Sequence, residues 1–255
     1  MTPRVVPVET KVLNENQRIA AELRERFARA GTLVVNLISS PGSGKTRLLE
    51  RTLELLVEDR QSCLSGQAGL PVLHGTRAAV LTGDIQTDAD ATRLARFGFP
   101  VRQITTGGTC HLDAKMIERH LEGWNLDELD LLFIENVGNL VCPSSYDLGE
   151  EAKIVLLSVT EGEEKPLKYP SIFFKSKLIL ITKVDLLPYV PFQFELAVEN
   201  ARRINADAQI IGVSCQSDEG LREWLHWLGQ RICSQARPHG SERLELADAP
   251  GSALR

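Results

Sequence analysis

The segment Ser39-Ser40-Pro41-Gly42-Ser43-Gly44-Lys45-Thr46 follows an apolar run, Leu33–Ile38, and opens an amphipathic stretch, Thr46–Asp59. A loop of small residues between a buried strand and a helix is the context that a Walker A phosphate loop requires. Successive backbone N–H groups of Ser40, Gly42, Ser43 and Gly44 turn inward there, and the helix N-terminus adds positive potential. Glycine at 42 and 44 permits the close approach, Lys45 reaches the terminal phosphates, and the Thr46 hydroxyl ligates Mg²⁺. One position departs from the usual pattern: Ser39 stands where the first glycine is common.

That loop also constrains the fold, because its strand must sit inside a sheet. Six further short apolar runs qualify: Ala78–Leu81, Val101–Ile104, Leu131–Ile134, Ile154–Val159, Leu178–Ile181 and Gln209–Val213. All are continuous rather than alternating, as in strands covered on both faces of a parallel sheet. Between them lie amphipathic stretches at Asp88–Phe97, Asp113–Leu121, Pro191–Asn205 and Gly220–Ile232. The alternation predicts an α/β, doubly wound, mostly parallel β-sheet flanked by helices, the P-loop NTPase architecture.

Ahead of the first strand, Lys11–Ala30 reads as a helix with Val12, Ile19, Leu23 and Phe27 on one face and Gly31 as its C-cap. Residues 60–76, rich in Gly, Ser, Gln and Pro, are expected to form a surface loop. The tail from Ser234 has few large apolar residues and is expected to be poorly ordered. The simplest division is an N-terminal extension and helix at 1–30, a nucleotide-binding domain at 31–233, and a tail at 234–255.

Composition narrows the class. With 29 basic and 34 acidic residues the net charge is −5, which gives no reason to expect a nucleic-acid partner. No apolar run approaches the roughly 18 residues of a membrane span, and the start lacks the apolar core of a secretory signal. Five cysteines are an odd count without framework spacing, pointing to reduced thiols and a cytoplasmic protein.

Partners for the phosphate loop occur in order along the chain. Glu135 closes the Leu131–Ile134 run, so its carboxylate emerges at the sheet edge where phosphates bind. Glu135-Asn136-Val137-Gly138 matches the D-x-x-G pattern with Glu for Asp, placing Glu135 on Mg²⁺ and the Gly138 amide on the γ-phosphate. A surface ion pair at the strand end is the other reading of Glu135. Asp84, after Ala78–Leu81, is placed to hold Mg²⁺ through water or to orient the attacking water, whereas Asp88 reads as an N-cap. Lys45, Asp84 and Glu135 are thus the candidate catalytic groups.

Thr182-Lys183-Val184-Asp185 resembles the N-K-x-D base-reading motif, with Thr for Asn. An Asp carboxylate accepts both N1–H and N2–H of guanine, and adenine offers no such pair, so Asp185 favours GTP over ATP. The Lys183 stem packs over the purine, and a backbone N–H of Ser214-Cys215-Gln216 is expected to meet guanine O6. No glutamine stands beside Gly138 to position water, so hydrolysis is expected to be slow.

Cys110-His111 places a soft thiolate and an imidazole together, a pairing suited to Zn²⁺ or Ni²⁺, and Cys142, four residues beyond Gly138, is the best third ligand. Two other readings stay open on residue types alone. The pair is coincidental with Cys142 packed inside, or it is a Cys–His nucleophile lacking an orienting third group. Cys63 reads as an exposed bystander, Cys215 and Cys233 as packing residues, and His74, His120, His226 and His239 do not cluster.

Several stretches taken together resemble the HypB family of GTPases that assist nickel incorporation into [NiFe]-hydrogenases. They are Asn36–Leu49, Gly83–Asp90, Thr106–Ala114, Ile134–Pro143, Ser158–Pro170 and Lys183–Pro188. The resemblance covers roughly Lys11 to Ile232. It implies a homodimer that forms with GTP and metal bound, and a Ni²⁺ (or Zn²⁺) site at the interface built from Cys110, His111 and Cys142 of both protomers. It also implies a small HypA-type nickel- and zinc-binding accessory partner and the hydrogenase large subunit as recipient. Residues 1–30 contain neither Cys nor His, so the N-terminal nickel site of some members is not expected. A urease-type accessory GTPase and a nucleotide-gated scaffold without a metal role are the alternatives.

Overall fold

The computed structural model describes residues 8–64, 73, 75–84 and 89–235. The expected loop at 65–72, His74, the Asp88 cap, and the tail from residue 236, including His239, lie outside the described residues, as does the Cys63 side chain. Seven parallel strands form one sheet in the order β3-β2-β4-β1-β5-β6-β7. They are β1 Leu33–Ser39, β2 Ala78–Asp84, β3 Val101–Thr105, β4 Leu131–Glu135, β5 Ala152–Ser158, β6 Ser176–Thr182 and β7 Gln209–Val213. The helices are α1 Val8–Ala30, α2 Lys45–Leu64, α3 Ala89–Ala95, α4 Ala114–His120, α5 Lys165–Lys168, α6 Pro170–Lys175, α7 Phe194–Ile204 and α8 Leu221–Gln235.

Every residue of β1 is buried, and the pleat explains why. Leu33, Val35 and Leu37 face a cluster with Leu48, Leu49 and Leu53 of α2 and with Trp224 and Leu228 of α8. Val34 faces the opposite layer, packed with α1 and α4. Successive side chains point to opposite faces, so a strand covered on both sides is apolar except where a buried partner meets a polar side chain, as Glu150 and Asn136 do for Asn36. The buried Trp224 indole finds its partner in Thr52, Nε1 donating to Oγ1 at 2.9 Å.

Helix α1, expected within an N-terminal extension, packs into the core. Ile19, Ala20, Leu23 and Phe27 are core residues, packed with Leu81, Leu132 and Ile134 of the sheet and with Ile117 of α4. Without them that face of β2 and β4 would lie open to water. The helix ends at Gly31, whose φ of 69° is the left-handed cap conformation. At Gly149 (φ 82°) α1 runs so close that a Cβ would stand 2.9 Å from the Ala20 carbonyl oxygen.

Boundaries differ elsewhere in understandable ways. Helix α2 extends to Leu64, so the expected loop begins later than residue 60. The run after Ala78 continues to Asp84 because Thr82, Gly83 and Asp84 keep parallel pairing with β3. The stretch at 191–205 turns helical only from Phe194, following a 3₁₀ segment at Val184–Tyr189. The short α5 and α6 were not expected from periodicity, being too brief to show one.

Candidate functional site

The C-terminal ends of β1, β2 and β4 surround a cavity of about 440 Å³, lined by Gly42, Lys45, Thr46, Asp84, Glu135 and Gly138 among others. Gly42 and Gly44 take φ values of 74° and 98°, so the loop uses the freedom glycine supplies. Lys45 is buried with its Nζ donating to Ser39 Oγ at 3.0 Å. The departure at Ser39 thus has a physical account. Its backbone remains paired in β1, where glycine is not required, and its hydroxyl holds the lysine.

Thr46 Oγ1 donates to Glu135 Oε1 at 2.7 Å, and Thr82 donates to the other carboxylate oxygen. A hydroxyl and a carboxylate oxygen this close form a hard-oxygen pair that fits Mg²⁺. Burial pushes Glu135 above the usual carboxylate range, opposed by Lys45 and Thr46, and burial lowers Lys45, opposed by Glu135. Glu135 is therefore no surface ion pair. Gly138 packs against the phosphate loop itself: a Cβ there would lie 3.0 Å from Pro41 Cα.

A second hollow of about 160 Å³ adjoins the first and is lined by Thr182, Lys183, Asp185, Leu186, Cys215 and Gln216. Lys183 sits at φ 61°, sending Nζ across to the Gly42 carbonyl at 2.7 Å. Thr182, where Asn was expected, donates to the Ser43 carbonyl at 2.7 Å and so ties β6 to the phosphate loop. Asp185 Oδ1 accepts from Ser214 Oγ at 2.6 Å. The Ser214 amide donates to Glu219 O and the Gln216 amide to Ser214 Oγ, so Ser214 acts through its hydroxyl rather than as the O6 donor, while Cys215 and Gln216 line the hollow.

On the far side of Gly138 lie the thiols. One ligand atom each of Cys110, His111 and Cys142 fall within 4.8 Å of one another. The two Sγ atoms are 2.9 Å apart, closer than packing yet well beyond a disulfide bond of about 2.05 Å. Ligand atoms around a bound ion lie roughly 3–4 Å apart at bond lengths of about 2.0–2.3 Å, so the trio needs little rearrangement. The His111 ring stacks on Tyr146 with centroids 3.8 Å apart. Burial pushes its imidazole below the usual value, with Asp113 opposing, which favours the neutral form that ligates metal. The Cys142 thiol is raised, first by its hydrogen bond with Cys110 and then by burial.

Residues 33–212 match the CobW/HypB/UreG nucleotide-binding domain model. The chain is 49% identical over 253 residues to the hydrogenase maturation factor HypB of Azotobacter chroococcum mcd 1, covering 98% of this chain and 76% of that one. The chain belongs to the CobW/HypB/UreG family. Within it the HypB branch is the match. Identity to HypB of Escherichia coli (strain K12) is 48% over 231 residues, 91% of this chain and 74% of the relative. The crystal structure of Helicobacter pylori HypB in complex with nickel superposes with a TM-score of 0.75 at 37% identity, covering 89% of this chain and 99% of that one. HypB from Archaeoglobus fulgidus gives 0.74 at 38% identity, with coverage of 86% and 99%.

The family consists of P-loop GTPases, and among the described residues no helix is long and apolar enough to cross a membrane. The structure brings residues distant in sequence together at the two hollows and in the thiol trio. Sequence reasoning missed others. Glu161 accepts from Ser43 Oγ and from the Ser158 amide, and Lys165 donates to Ser40 Oγ at 3.1 Å. These lie in the Ser158–Pro170 stretch noted above, whose Glu/Lys density was the available signal. Asp90, at the end of the Gly83–Asp90 stretch, and Arg93 also line the phosphate cavity, and Arg93 carries no motif that would mark it.

Proposed function

We propose that this chain is a GTP-hydrolysing metallochaperone of the HypB type, assisting nickel insertion into a [NiFe]-hydrogenase large subunit. One observation carries the reading: a single stretch, Glu135 to Cys142, begins at the Thr46–Glu135 pair in the phosphate cavity and ends at the Cys110–Cys142 thiols. Its midpoint, Gly138, rests on the phosphate loop. Whatever the γ-phosphate does to Gly138 is felt four residues on at a metal-type ligand.

The assignments follow from donor chemistry. Lys45 and the loop amides hold phosphates, Thr46, Glu135 and Asp84 take Mg²⁺, and Asp185 with Lys183 selects guanine. Two thiols and an imidazole suit a borderline divalent ion such as Ni²⁺ or Zn²⁺. Three ligands leave such an ion short of four, so a GTP-dependent homodimer with both trios at its interface completes the site. Hydrolysis is slow and gates release toward a HypA-type accessory protein and the recipient subunit. The Helicobacter pylori relative, 38% identical over 232 residues, is named a hydrogenase/urease maturation factor, and this favours urease as a second recipient class.

Equilibrium dialysis of Ni²⁺ and Zn²⁺ against the full chain, with GDP or a non-hydrolysable GTP analogue, tests the reading, with sedimentation in parallel. Metal binding and dimerisation should both depend on the analogue. Unchanged metal binding in a Cys110→Ala, Cys142→Ala double variant would sink the interface site.

A further inference from the structure

The trio of ligands sits on two loops, and three loop residues do not hold an ion unless something holds the loops. Two buried asparagines do so from opposite sides. Asn16 projects from α1 and is 6% exposed. Its Oδ1 accepts from the Ala114 amide at 2.8 Å, three residues beyond His111, and its Nδ2 donates to the Asp147 carbonyl at 2.8 Å, next to Tyr146. Asn136 follows β4 and is 2% exposed. Its Oδ1 accepts from the Leu112 amide at 3.3 Å, one residue beyond His111.

From Asn136 a buried polar chain runs back to the same second segment. Asn136 Nδ2 donates to Asn36 Oδ1 at 3.3 Å, and Asn36 Nδ2 donates to Glu150 Oε1 at 3.2 Å. The other Glu150 oxygen accepts from the Leu148 amide at 2.6 Å. We propose that Asn16 and Asn136 are positioning residues of the metal centre, each amide tying the Cys110-His111 loop to the segment that follows Cys142. The inference rests on the metal-site reading above.

The logic is one of satisfied donors. Ala114 opens α4, and its N–H is among those a helix leaves unpaired at its start. Asp113 caps Met116, leaving Ala114 to Asn16. The Leu112 amide is likewise buried and met by Asn136. Either side chain, once shortened, strands a buried backbone donor and frees the loop to shift. Tyr146, whose ring sets the His111 imidazole, is fixed through Asp147, which Arg24 of α1 also grips with two bonds of 2.6 and 2.7 Å. Helix α1 is thus a seat for the metal loops, although it bears no ligand.

Ni²⁺ titrated into the full chain, read by equilibrium dialysis and by the nickel–thiolate charge-transfer absorption, tests this. Asn16→Ala should weaken Ni²⁺ binding about tenfold to a hundredfold and shift the absorption band. GTP affinity should be unchanged, because α1 lines neither the phosphate cavity nor the base hollow. Asn16→Asp keeps the acceptor for Ala114 and drops the donor for Asp147, so it should recover part of the loss. It also serves should Asn16→Ala fail to fold. Asn136→Ala should weaken Ni²⁺ binding by the same route. Wild-type affinity and an unchanged band in the folded variants would overturn the proposal. The site reading fails separately: nickel binding that survives loss of Cys110 and Cys142 places the ion elsewhere, whatever the asparagine variants do.

Discussion

Replacing Asp185 by Asn changes one atom pair in the base hollow and should change which purine the protein takes. In the structure Ser214 Oγ holds Asp185 Oδ1 at 2.6 Å, aiming the carboxylate beside Lys183 and Leu186. On the guanine reading this carboxylate accepts N1–H and N2–H, two charged hydrogen bonds. Each such bond contributes about 1.5–3 kcal/mol net. The Asn variant keeps one neutral acceptor for N1–H and turns an amide N–H₂ toward the guanine amine, donor against donor. Losing one charged bond and weakening the other should cost about 2–4 kcal/mol, roughly a 30- to 700-fold loss of GTP affinity. Xanthine carries a carbonyl where guanine carries its 2-amine, so the same variant should gain affinity for XTP. Displacement of a fluorescent GDP analogue by GTP, XTP and ATP at fixed Mg²⁺ measures all three. Ser214→Ala loosens the carboxylate and also removes the acceptor of the Gln216 and Ser217 amides, so it should cost at least about 1 kcal/mol, near fivefold. GTP affinity within about threefold of wild type in Asp185→Asn, a change under about 0.7 kcal/mol, together with no gain for XTP, would refute the base assignment.

Three further changes probe other parts of the molecule. Gly138→Ala puts a methyl 3.0 Å from Pro41 Cα, and overpacking of this kind costs about 1–3 kcal/mol; nucleotide competition should show a larger loss for GTP than for GDP, and an equal loss would remove Gly138 as γ-phosphate sensor. Gly220→Ala combines φ of 69° with a Cβ 1.9 Å from the Gly212 carbonyl, so the start of α8 must move; urea unfolding should show a loss above about 3 kcal/mol, or no folded protein. For Asp147, burial acts to raise the pKa, but the Arg24 guanidinium and the Gly149 amide outweigh it and hold the group below 3.8. A depressed carboxylate contributes stability that is complete above its unfolded pKa and fades as pH falls through the folded value. The pair is about two-fifths exposed, so Arg24→Ala should cost only about 0.5–1 kcal/mol at pH 7. In urea melts that difference should close below pH 3.8, and a constant gap would show that the pair contributes by packing alone.

The central strands were legible because burial on both faces keeps them largely apolar, the one polar residue within Leu33–Ile38 being Asn36 with its buried partners, whereas β3 at the sheet edge carries the half-buried Arg102 and Gln103. The phosphate loop was legible because its chemistry is local. Much of the remaining site was not, for reasons of distance. Cys110 and Cys142 lie 32 residues apart, and only the crossing of two loops brings them into contact; on residue types alone a packed thiol was the favoured account. Glu161 and Lys165 reach Ser43 and Ser40 across more than a hundred residues, with no periodicity to announce it. Helix α1 was legible as a helix but not as part of the core. Its apolar stripe says that a partner face exists and cannot say that the face belongs to β2 and β4.

Those long-range ties bear on how a nucleotide signal would reach the metal. Asn136 is fixed at one end of the connecting stretch, its amide donating to the Leu37 carbonyl and its side chain held in the buried polar chain. Tyr146 and Asp147 are fixed at the other end by α1 and Lys153. Between them lie Gly138 against the phosphate loop, Val141 at 59% exposure, and Cys142. A displacement begun at Gly138 passes into the 137–142 stretch, where Asn139 Nδ2 donates to the Cys110 carbonyl at 3.2 Å, while His111 stays clamped through Leu112 and Ala114. On the proposed reading the γ-phosphate moves Cys142, with Cys110 coupled to it through Asn139, against a clamped His111, altering the ligand set rather than the whole centre. The exposed Val141 beside that thiol is then what a second copy would cover, so that dimerisation and metal capture respond to the same short stretch. Sedimentation of Val141→Glu with GTP analogue and Ni²⁺ separates the two: a monomer that retains intramolecular nucleotide sensing supports this division of labour, and an undisturbed dimer removes Val141 from the interface.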